Sequence, residues 1–156
     1  MRNIHRSERH QDLMDRFVET RYSGYERKIF NTYRDFMCFL AVLGFENERR
    51  KPVSSDTSDI DSRPFYEYGL FTDLLYLLAL GETKKAEILH PSEENDEECL
   101  KIFEEYVEGG CEVLREWLSA RPEDEFGHLA VISALKANRF IERQVATAPA
   151  ELEVQF

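Results

Sequence analysis

The sequence predicts an all-α fold: a single compact helical domain of about five to six helices with one long polar loop. Apolar residues recur every three or four positions along most of the chain, which is the spacing of one helix face. Gly and Pro are scarce, at 7 and 5 of 156 residues, and 42% of the residues are hydrophobic. A chain of this length and composition is large enough to bury one core.

The first helix is expected after Ser7, because serine often caps helix N-termini. Its buried positions are expected to be Leu13, Met14, Phe17 and Val18. Residues 21–24 interrupt the pattern, and a second helix is expected from about Tyr25 to Phe45. That segment is apolar on nearly every side, which is typical of a helix in the centre of its domain. Gly44 is expected to end it.

Residues 46–64 are predicted to form the long polar loop, because they contain two prolines and clustered Ser and Asp residues. Loops of this length tend to be functional or mobile. The next helix is expected over Leu70–Leu80, where leucine outnumbers β-branched residues. The sequence leaves 84–89 ambiguous, and His90-Pro91 ends that segment.

A fourth long helix is expected to begin after Ser92, because the acidic residues 93–98 suit the positive end of a helix dipole. Its apolar stripe continues across Gly109-Gly110, which favours one helix over two that meet at a bend. The two glycines would let another backbone approach closely. A last helix is expected over Asp124–Arg139. The predicted domain therefore spans residues 1–143, with a loosely ordered tail over 144–156.

The net charge of -11 is unevenly distributed. Residues 1–52 carry 11 basic and 8 acidic side chains, whereas residues 53–156 carry 9 basic and 23 acidic ones. This balance excludes a uniformly basic nucleic-acid coat, because an acidic body repels phosphates.

No membrane span, secretory signal or paired-cysteine framework is apparent in the sequence. Cys38, Cys99 and Cys111 are odd in number and widely spaced, so we expect reduced, mostly buried thiols and a cytoplasmic protein.

A search for catalytic and metal-binding patterns yields one weak candidate. Asp73, Glu82 and Lys84 imitate the spaced acid and E-x-K of a metal-dependent nuclease. However, they lie in a helical run interrupted by Gly81, so solvated acids are the simpler interpretation. Asp56, Asp59 and Asp61 lack the glycine of a calcium loop, and the four histidines form no metal-binding frame. We therefore expect no enzymatic activity, no catalytic residue, no metal and no cofactor.

Two charged clusters are candidates for binding. Arg49, Arg50 and Lys51 follow the second helix and, with basic residues near the N-terminus, could form a face for phosphates or for a partner protein. The alternative is that they complement a helix dipole. Glu104, Glu105 and Glu108 could form an acidic partner surface or, with their acidic neighbours over 93–116, imitate DNA phosphates. Such a run is more often the wet face of an amphipathic helix.

Two segments resemble a known family. Phe30–Val53 reads FNTYRDFMCFLAVLGFENERRKPV, in which FNTYRD leads into an apolar helix ending AVLGF and then a basic RKP loop. Phe103–Leu114, FEEYVEGGCEVL, is similar to an "F-E-E-Y-A-x-x-G" stretch. Both resemble the bacterial DNA phosphorothioation (Dnd) system-associated proteins of the fourth type.

The resemblance implies a small accessory protein encoded with bacterial DNA modification and restriction genes, in a system that replaces oxygen in the DNA backbone with sulfur. We expect a non-enzymatic protein of such an anti-phage system that docks on larger partner proteins and contacts DNA through Arg49, Arg50 and Lys51. The alternative is an acidic DNA mimic that inhibits a nucleic-acid-binding enzyme. The sequence leaves open whether the chain forms homo-oligomers.

Overall fold

A computed structural model describes residues 2–21 and 28–138 of the chain. These residues are mostly helical, with six α-helices and a two-stranded sheet, which confirms the predicted fold class. The chain divides into two compact units, residues 1–115 and 116–156, and each is described by itself. The predicted tail over 144–156 lies outside the described residues.

The first unit opens with a strand that the sequence pattern did not predict. Strand β1 (Ile4–Ser7) pairs antiparallel with β2 (Thr57–Ile60), so that Ile4 lies opposite Ile60. The prediction of an unbroken loop over 46–64 is therefore wrong. The physical reason is that β2, with the sequence TSDI, buries no residue fully and shows almost no apolar alternation. Its pairing with a distant segment makes it a strand.

Ser7 also differs from its predicted role. It is the last residue of β1, and its hydroxyl accepts a hydrogen bond from the backbone N–H of Ser54 at 2.9 Å rather than capping a helix. A 3-10 turn (Glu8–His10), helix α1 (Gln11–Met14) and a π-helical turn (Asp15–Glu19) follow. The four apolar positions predicted to be buried are all buried: Leu13, Met14, Phe17 and Val18.

Helix α2 (Tyr33–Glu46) lies in the core, as predicted. The expected start at Tyr25 lies outside the described residues. The described helix begins at Tyr33, where Thr32 is the N-cap and accepts a hydrogen bond from the backbone N–H of Asp35 at 3.1 Å. The helix also continues past Gly44, so the predicted stop there is wrong. Its buried residues are Phe36, Met37, Leu40, Ala41, Leu43 and Gly44.

The short helix α3 (Arg63–Tyr66) leads into α4 (Gly69–Thr83). Helix α4 covers the predicted leucine-rich run over 70–80 and extends beyond it at both ends. Lys84 ends α4 in the left-handed conformation, with a φ of 57°. The ambiguous segment after it forms a 3-10 turn over Ala86–Leu89.

Helix α5 (Glu93–Ser119) runs without interruption through Gly109-Gly110, as the apolar stripe favoured. The glycines permit a close crossing of α2 and α5. A Cβ on Gly110 would overlap the carbonyl oxygen of Leu40, and one on Gly44 would overlap that of Tyr106. The glycine at 44 is therefore a packing residue inside a helix rather than a helix terminator.

The second unit, within its described residues 116–138, contains the end of α5 and helix α6 (His128–Ala137). Helix α6 begins later than the predicted Asp124, because Gly127 precedes it with a φ of 87°. The buried Asp124 instead accepts a hydrogen bond from the backbone N–H of Ala130 at 2.8 Å, at the first turn of α6. The predicted end at Arg139 lies outside the described residues.

Two further observations concern the whole described part of the chain. Over 2–21 and 28–138, no helix is both long and apolar enough to cross a lipid bilayer. The three cysteines are free; Cys99 and Cys111 are buried and Cys38 is half-buried. Burial raises the pKa of the Cys38 and Cys99 thiols to about 11.

Candidate functional site

The predicted basic loop directly follows α2 and is held against α5 by its backbone. The N–H of Arg49 donates to the carbonyl of Gly44 at 2.8 Å, and the N–H of Lys51 donates to the carbonyl of Glu105 at 3.0 Å. Directly before Arg49, Glu48 adopts a left-handed conformation with a φ of 52°. These bonds give the loop a defined conformation on the surface of α5.

The three basic side chains differ in their surroundings. Arg50 donates to Glu105 at 2.6 Å and to Glu82 at 2.9 Å. Partial burial disfavours its charge, but the hydrogen bonds to Glu82 and Glu105 outweigh this and raise the pKa of Arg50. Arg49 is half-buried and Lys51 is exposed. The side chain of Arg50 therefore links the loop after α2 to both α4 and α5. Of the three basic residues, Lys51 is the exposed one.

The acidic residues proposed as a partner surface mostly face inward. Glu104 is 5% exposed and accepts from the Arg2 guanidinium at 2.6 and 2.9 Å and from the His5 backbone N–H at 2.6 Å. Glu105 binds Arg50. The charge of Glu104 is thus used to hold β1 against α5, and its carboxylate is not part of an exposed acidic surface.

Glu108 is even more buried, at 2% exposure. Its carboxylate binds Arg9 and lies 3.0 Å from Nε2 of His10. Burial alone would raise the pKa of Glu108, but hydrogen bonds from His10, Ser7 and Arg9 lower it below its usual value. A buried carboxylate needs such partners, since an unpaired charge in the interior costs several kcal/mol.

Sequence reasoning missed these internal pairs, although the helical period contains a signal for them. Glu104 is four residues after the buried Leu100, and Glu108 is three residues before the buried Cys111. Both acids therefore lie on the apolar stripe of α5 rather than opposite it. A carboxylate on a buried stripe requires a cationic partner, and the arginines and histidines near the N-terminus supply it.

The nuclease-like residues are not brought together. Asp73 is exposed on α4, and Glu82 accepts from Arg50 and from the Tyr106 hydroxyl. Nine residues of one helix separate the two acids, a rise of about 13 Å, which is too far for one metal ion. Within residues 2–21 and 28–138, no group of three or more His, Cys, Asp or Glu side chains is placed to hold a metal.

Helices α2 and α4 run in the same direction, since their N-terminal ends contact each other and so do their C-terminal ends. The C-terminal ends meet at a cleft of about 540 Å³. At their N-terminal ends, the Arg34 guanidinium stacks 4.1 Å above the Tyr68 ring. At their C-terminal ends, the Phe45 ring packs against Gly81 so closely that a Cβ there would contact it at 2.7 Å. The cleft beyond this contact is lined by Phe45, Glu46, Glu48, Arg50, Gly81, Glu82, Lys84 and Tyr106.

Beside this cleft, α4 presents large apolar side chains to solvent. Leu70 is 62% exposed and Leu77 is 65% exposed, and the seven-residue spacing places them on the same face of the helix. Val42 of α2 is 41% exposed. Along their helices, Val42 and Leu77 each lie one turn before the contact between Phe45 and Gly81. We call Val42, Leu70, Leu77 and the exposed Asp73 between the two leucines the α4 face.

Comparison with known proteins yields one match. The family model described as DNA sulphur modification system-associated protein 4 matches residues 3–148. No curated protein and no solved structure matches the chain.

Proposed function

The chain belongs to the family of DNA sulphur modification system-associated protein 4, and from that premise we propose that it is a non-enzymatic accessory protein that binds larger proteins of such a system. A DNA-modifying assembly works where the DNA is, so the proposed location is the cytoplasm. The proposed role extends to the restriction of phage DNA that such systems carry out.

The observation that carries this proposal is the exposure of Leu70 and Leu77 on one face of α4. Isolated exposed leucines are ordinary, but two leucines that are each more than 60% exposed on one face of the same helix favour a protein-binding surface. By contrast, the charged residues that would serve chemistry or nucleic-acid binding, Arg50 and Glu82, are engaged in internal pairs. Protein binding is thus the function that the exposed groups favour.

The test is co-expression of the affinity-tagged chain with the other proteins of the DNA sulphur modification system, followed by size-exclusion chromatography with light scattering. We expect a complex of defined mass that includes at least one of those proteins. If the chain elutes without any of them at micromolar concentration, the accessory role is refuted. The same measurement gives the mass of the chain alone and thereby its oligomeric state.

A second proposal is a narrow DNA contact through the basic loop, and its support is the exposure of Lys51. The substitution Lys51→Ala should weaken binding of duplex DNA and reduce the dependence of log K on log salt by about 1, the value for one phosphate contact. The matched control is Lys101→Ala, which removes another exposed lysine, on α5. Equal binding by both variants would refute the contact.

An acidic DNA mimic is less well supported, because two of its three central carboxylates, Glu104 and Glu108, are 5% and 2% exposed. A mimic needs carboxylates that a DNA-binding protein can reach. The exposed acids of α5 lie mainly in its first two turns, at Glu93, Glu94 and Glu97. We therefore retain the accessory role as the conclusion.

The proposed absence of catalysis is tested by incubating the chain with duplex DNA and Mg²⁺ or Mn²⁺. We expect no cleavage above background. Cleavage that Asp73→Asn or Glu82→Gln abolishes would contradict the proposal.

A further inference from the structure

The α4 face and the adjoining cleft together have a charge pattern that restricts the kind of partner they fit. Asp73 lies between Leu70 and Leu77 and makes no ion pair with any residue of 2–21 or 28–138. The same is true of Glu46 and Glu48, two exposed acids that line the cleft. These three exposed carboxylates therefore have no cationic partner among the residues that the structure describes.

The cleft itself favours a positive charge. The charge of Arg50 is already balanced by Glu82 and Glu105, so the remaining charges are those of Glu46, Glu48 and the one exposed cation Lys84. In addition, α2 and α4 both end at this cleft, and a helix C-terminus carries about half a negative charge. The cleft is thus electronegative, with the Phe45 ring as an apolar wall suited to the methylene stem of a lysine or arginine.

The α4 face leads to the cleft along one helix, since Leu77 lies one turn before Gly81, which lines the cleft. From Leu70 to Gly81 the helix rises about 16 Å, which is three turns. A helix laid along the α4 face with apolar residues against Leu70 and Leu77 would bring a side chain one turn further on to the mouth of the cleft. Helix-in-groove binding of this kind is read as anchors at every third or fourth position.

A second copy of the chain does not satisfy this pattern. A two-fold contact between α4 helices centred on the leucine pair would bring Asp73 within one residue of Asp73 of the other copy, since the midpoint of positions 70 and 77 falls between 73 and 74. Two like charges at the centre of an apolar interface oppose association. The complementary partner carries a cation there instead.

We propose that the α4 face and its cleft bind a basic amphipathic helix of a partner protein, with leucine-type residues along α4 and a lysine or arginine in the cleft between the ends of α2 and α4. This inference rests on the proposed accessory function and specifies the chemistry of its partner. Asp73 selects for a second cation in the middle of the helix.

The test uses a defined probe, a fluorescein-labelled helical peptide of about 18 residues, long enough to follow the three turns of α4 from Leu70 to Gly81. On one face it carries leucines at helical spacing, a lysine between them, and an arginine one turn beyond. A control peptide replaces the lysine and arginine by glutamate. Binding is measured by fluorescence anisotropy, and the contact surface by amide chemical shifts.

We expect saturable binding of the basic peptide by the wild-type chain and at least tenfold weaker binding of the acidic one. Leu77→Ala should weaken binding of the basic peptide about tenfold, the effect of a typical interface anchor. Leu89→Ala is the matched control, because Leu89 is 43% exposed outside the α4 face. Asp73→Lys should shift the preference toward the acidic peptide. Thermal unfolding verifies that each variant remains folded.

The inference is overturned if the basic peptide does not bind saturably, or if Leu77→Ala and Asp73→Lys bind it as the wild type does. Changes in amide chemical shift that are confined to residues outside the α4 face and the cleft would overturn it as well. This failure is distinct from that of the accessory role. If the chain forms a complex with proteins of the system but does not bind the peptide, only the proposal of a basic amphipathic helix as the partner is refuted. If it binds the peptide but forms no such complex, the accessory role is refuted.

Discussion

The crossing of α2 and α5 provides the sharpest test of the structure, through the substitution Gly110→Ala. In an exposed helix interior, replacing glycine by alanine stabilises a protein by up to about 1 kcal/mol. At Gly110 the added Cβ would overlap the carbonyl oxygen of Leu40, and it would lie 2.7 Å from the carbonyl carbon and 3.0 Å from the Cα. These atoms belong to the backbone of another helix, so the overlap cannot be relieved by rotating a side chain.

The expected magnitude follows from these opposing terms. Overpacking a buried site costs about 1–3 kcal/mol, and more where backbone must shift. After subtraction of the helix-propensity gain, we expect Gly110→Ala to lower the free energy of unfolding by about 2 kcal/mol. Because a chain of this size loses about 2–4 °C in Tm per kcal/mol, the corresponding loss is about 4–8 °C.

The assay is urea unfolding followed by far-ultraviolet circular dichroism, with Gly69→Ala as the control. Gly69 begins α4, and a Cβ there meets no atom within 4 Å. That variant should be unchanged or slightly more stable. If Gly110→Ala raised the free energy of unfolding as much as Gly69→Ala, the close helix crossing inferred here would be refuted.

Three further predictions concern the buried carboxylates and the thiols. Glu104→Ala should lower the free energy of unfolding by about 3 kcal/mol, because it removes the buried acceptor of the His5 backbone N–H and leaves Arg2 with the exposed Glu97 as its ion-pair partner. The exposed Glu94→Ala should change the free energy of unfolding by less than about 0.5 kcal/mol. Since folding lowers the pKa of Glu108, this carboxylate stabilises the folded protein above its unfolded pKa of about 4.3, and the stabilisation is lost as the pH falls through the folded pKa. In Glu108→Gln, the free energy of unfolding measured with urea should therefore depend less on pH in that acidic range. Because burial raises the pKa of Cys38 to about 11, the native protein at pH 8 should react slowly with a thiol reagent, and urea should expose all three cysteines.

The helices were predictable from the sequence because their signals are local. The apolar stripe of α5 persists across Gly109-Gly110, and the structure confirms one helix over Glu93–Ser119. Likewise, the leucine-rich run predicted α4 to within a few residues. In both cases the period of the apolar residues is set by the helix itself, so no knowledge of the rest of the molecule is needed.

The strand pair was not predictable by the same reasoning. Ile4 pairs with Ile60, and more than fifty residues separate them along the chain. Neither four-residue strand has the apolar alternation that indicates a half-buried sheet, because each contains only one apolar residue, Ile4 in β1 and Ile60 in β2. Pairings of this kind are decided by tertiary contacts rather than by local preference.

The candidate site combines both kinds of information. The sequence identified Arg49, Arg50 and Lys51 as a basic cluster, and the binding role given to these residues stays a prediction. It could not distinguish Arg50, which is bound to Glu82 and Glu105, from the exposed Lys51. For the same reason it could not show that Leu70 and Leu77 face solvent, since an apolar helix appears equally buried on every side until its neighbours are known.

By itself the sequence determined the helical fold class, the central position of α2, the continuity of α5 and the family to which two of its segments point. These depend on residue types and on spacing along one helix. Tertiary structure alone decided which charges are neutralised inside the protein and which apolar residues remain outside. Burial and ion pairing are properties of two surfaces in contact, and segments such as 2–10 and 104–108 meet only when the chain has folded.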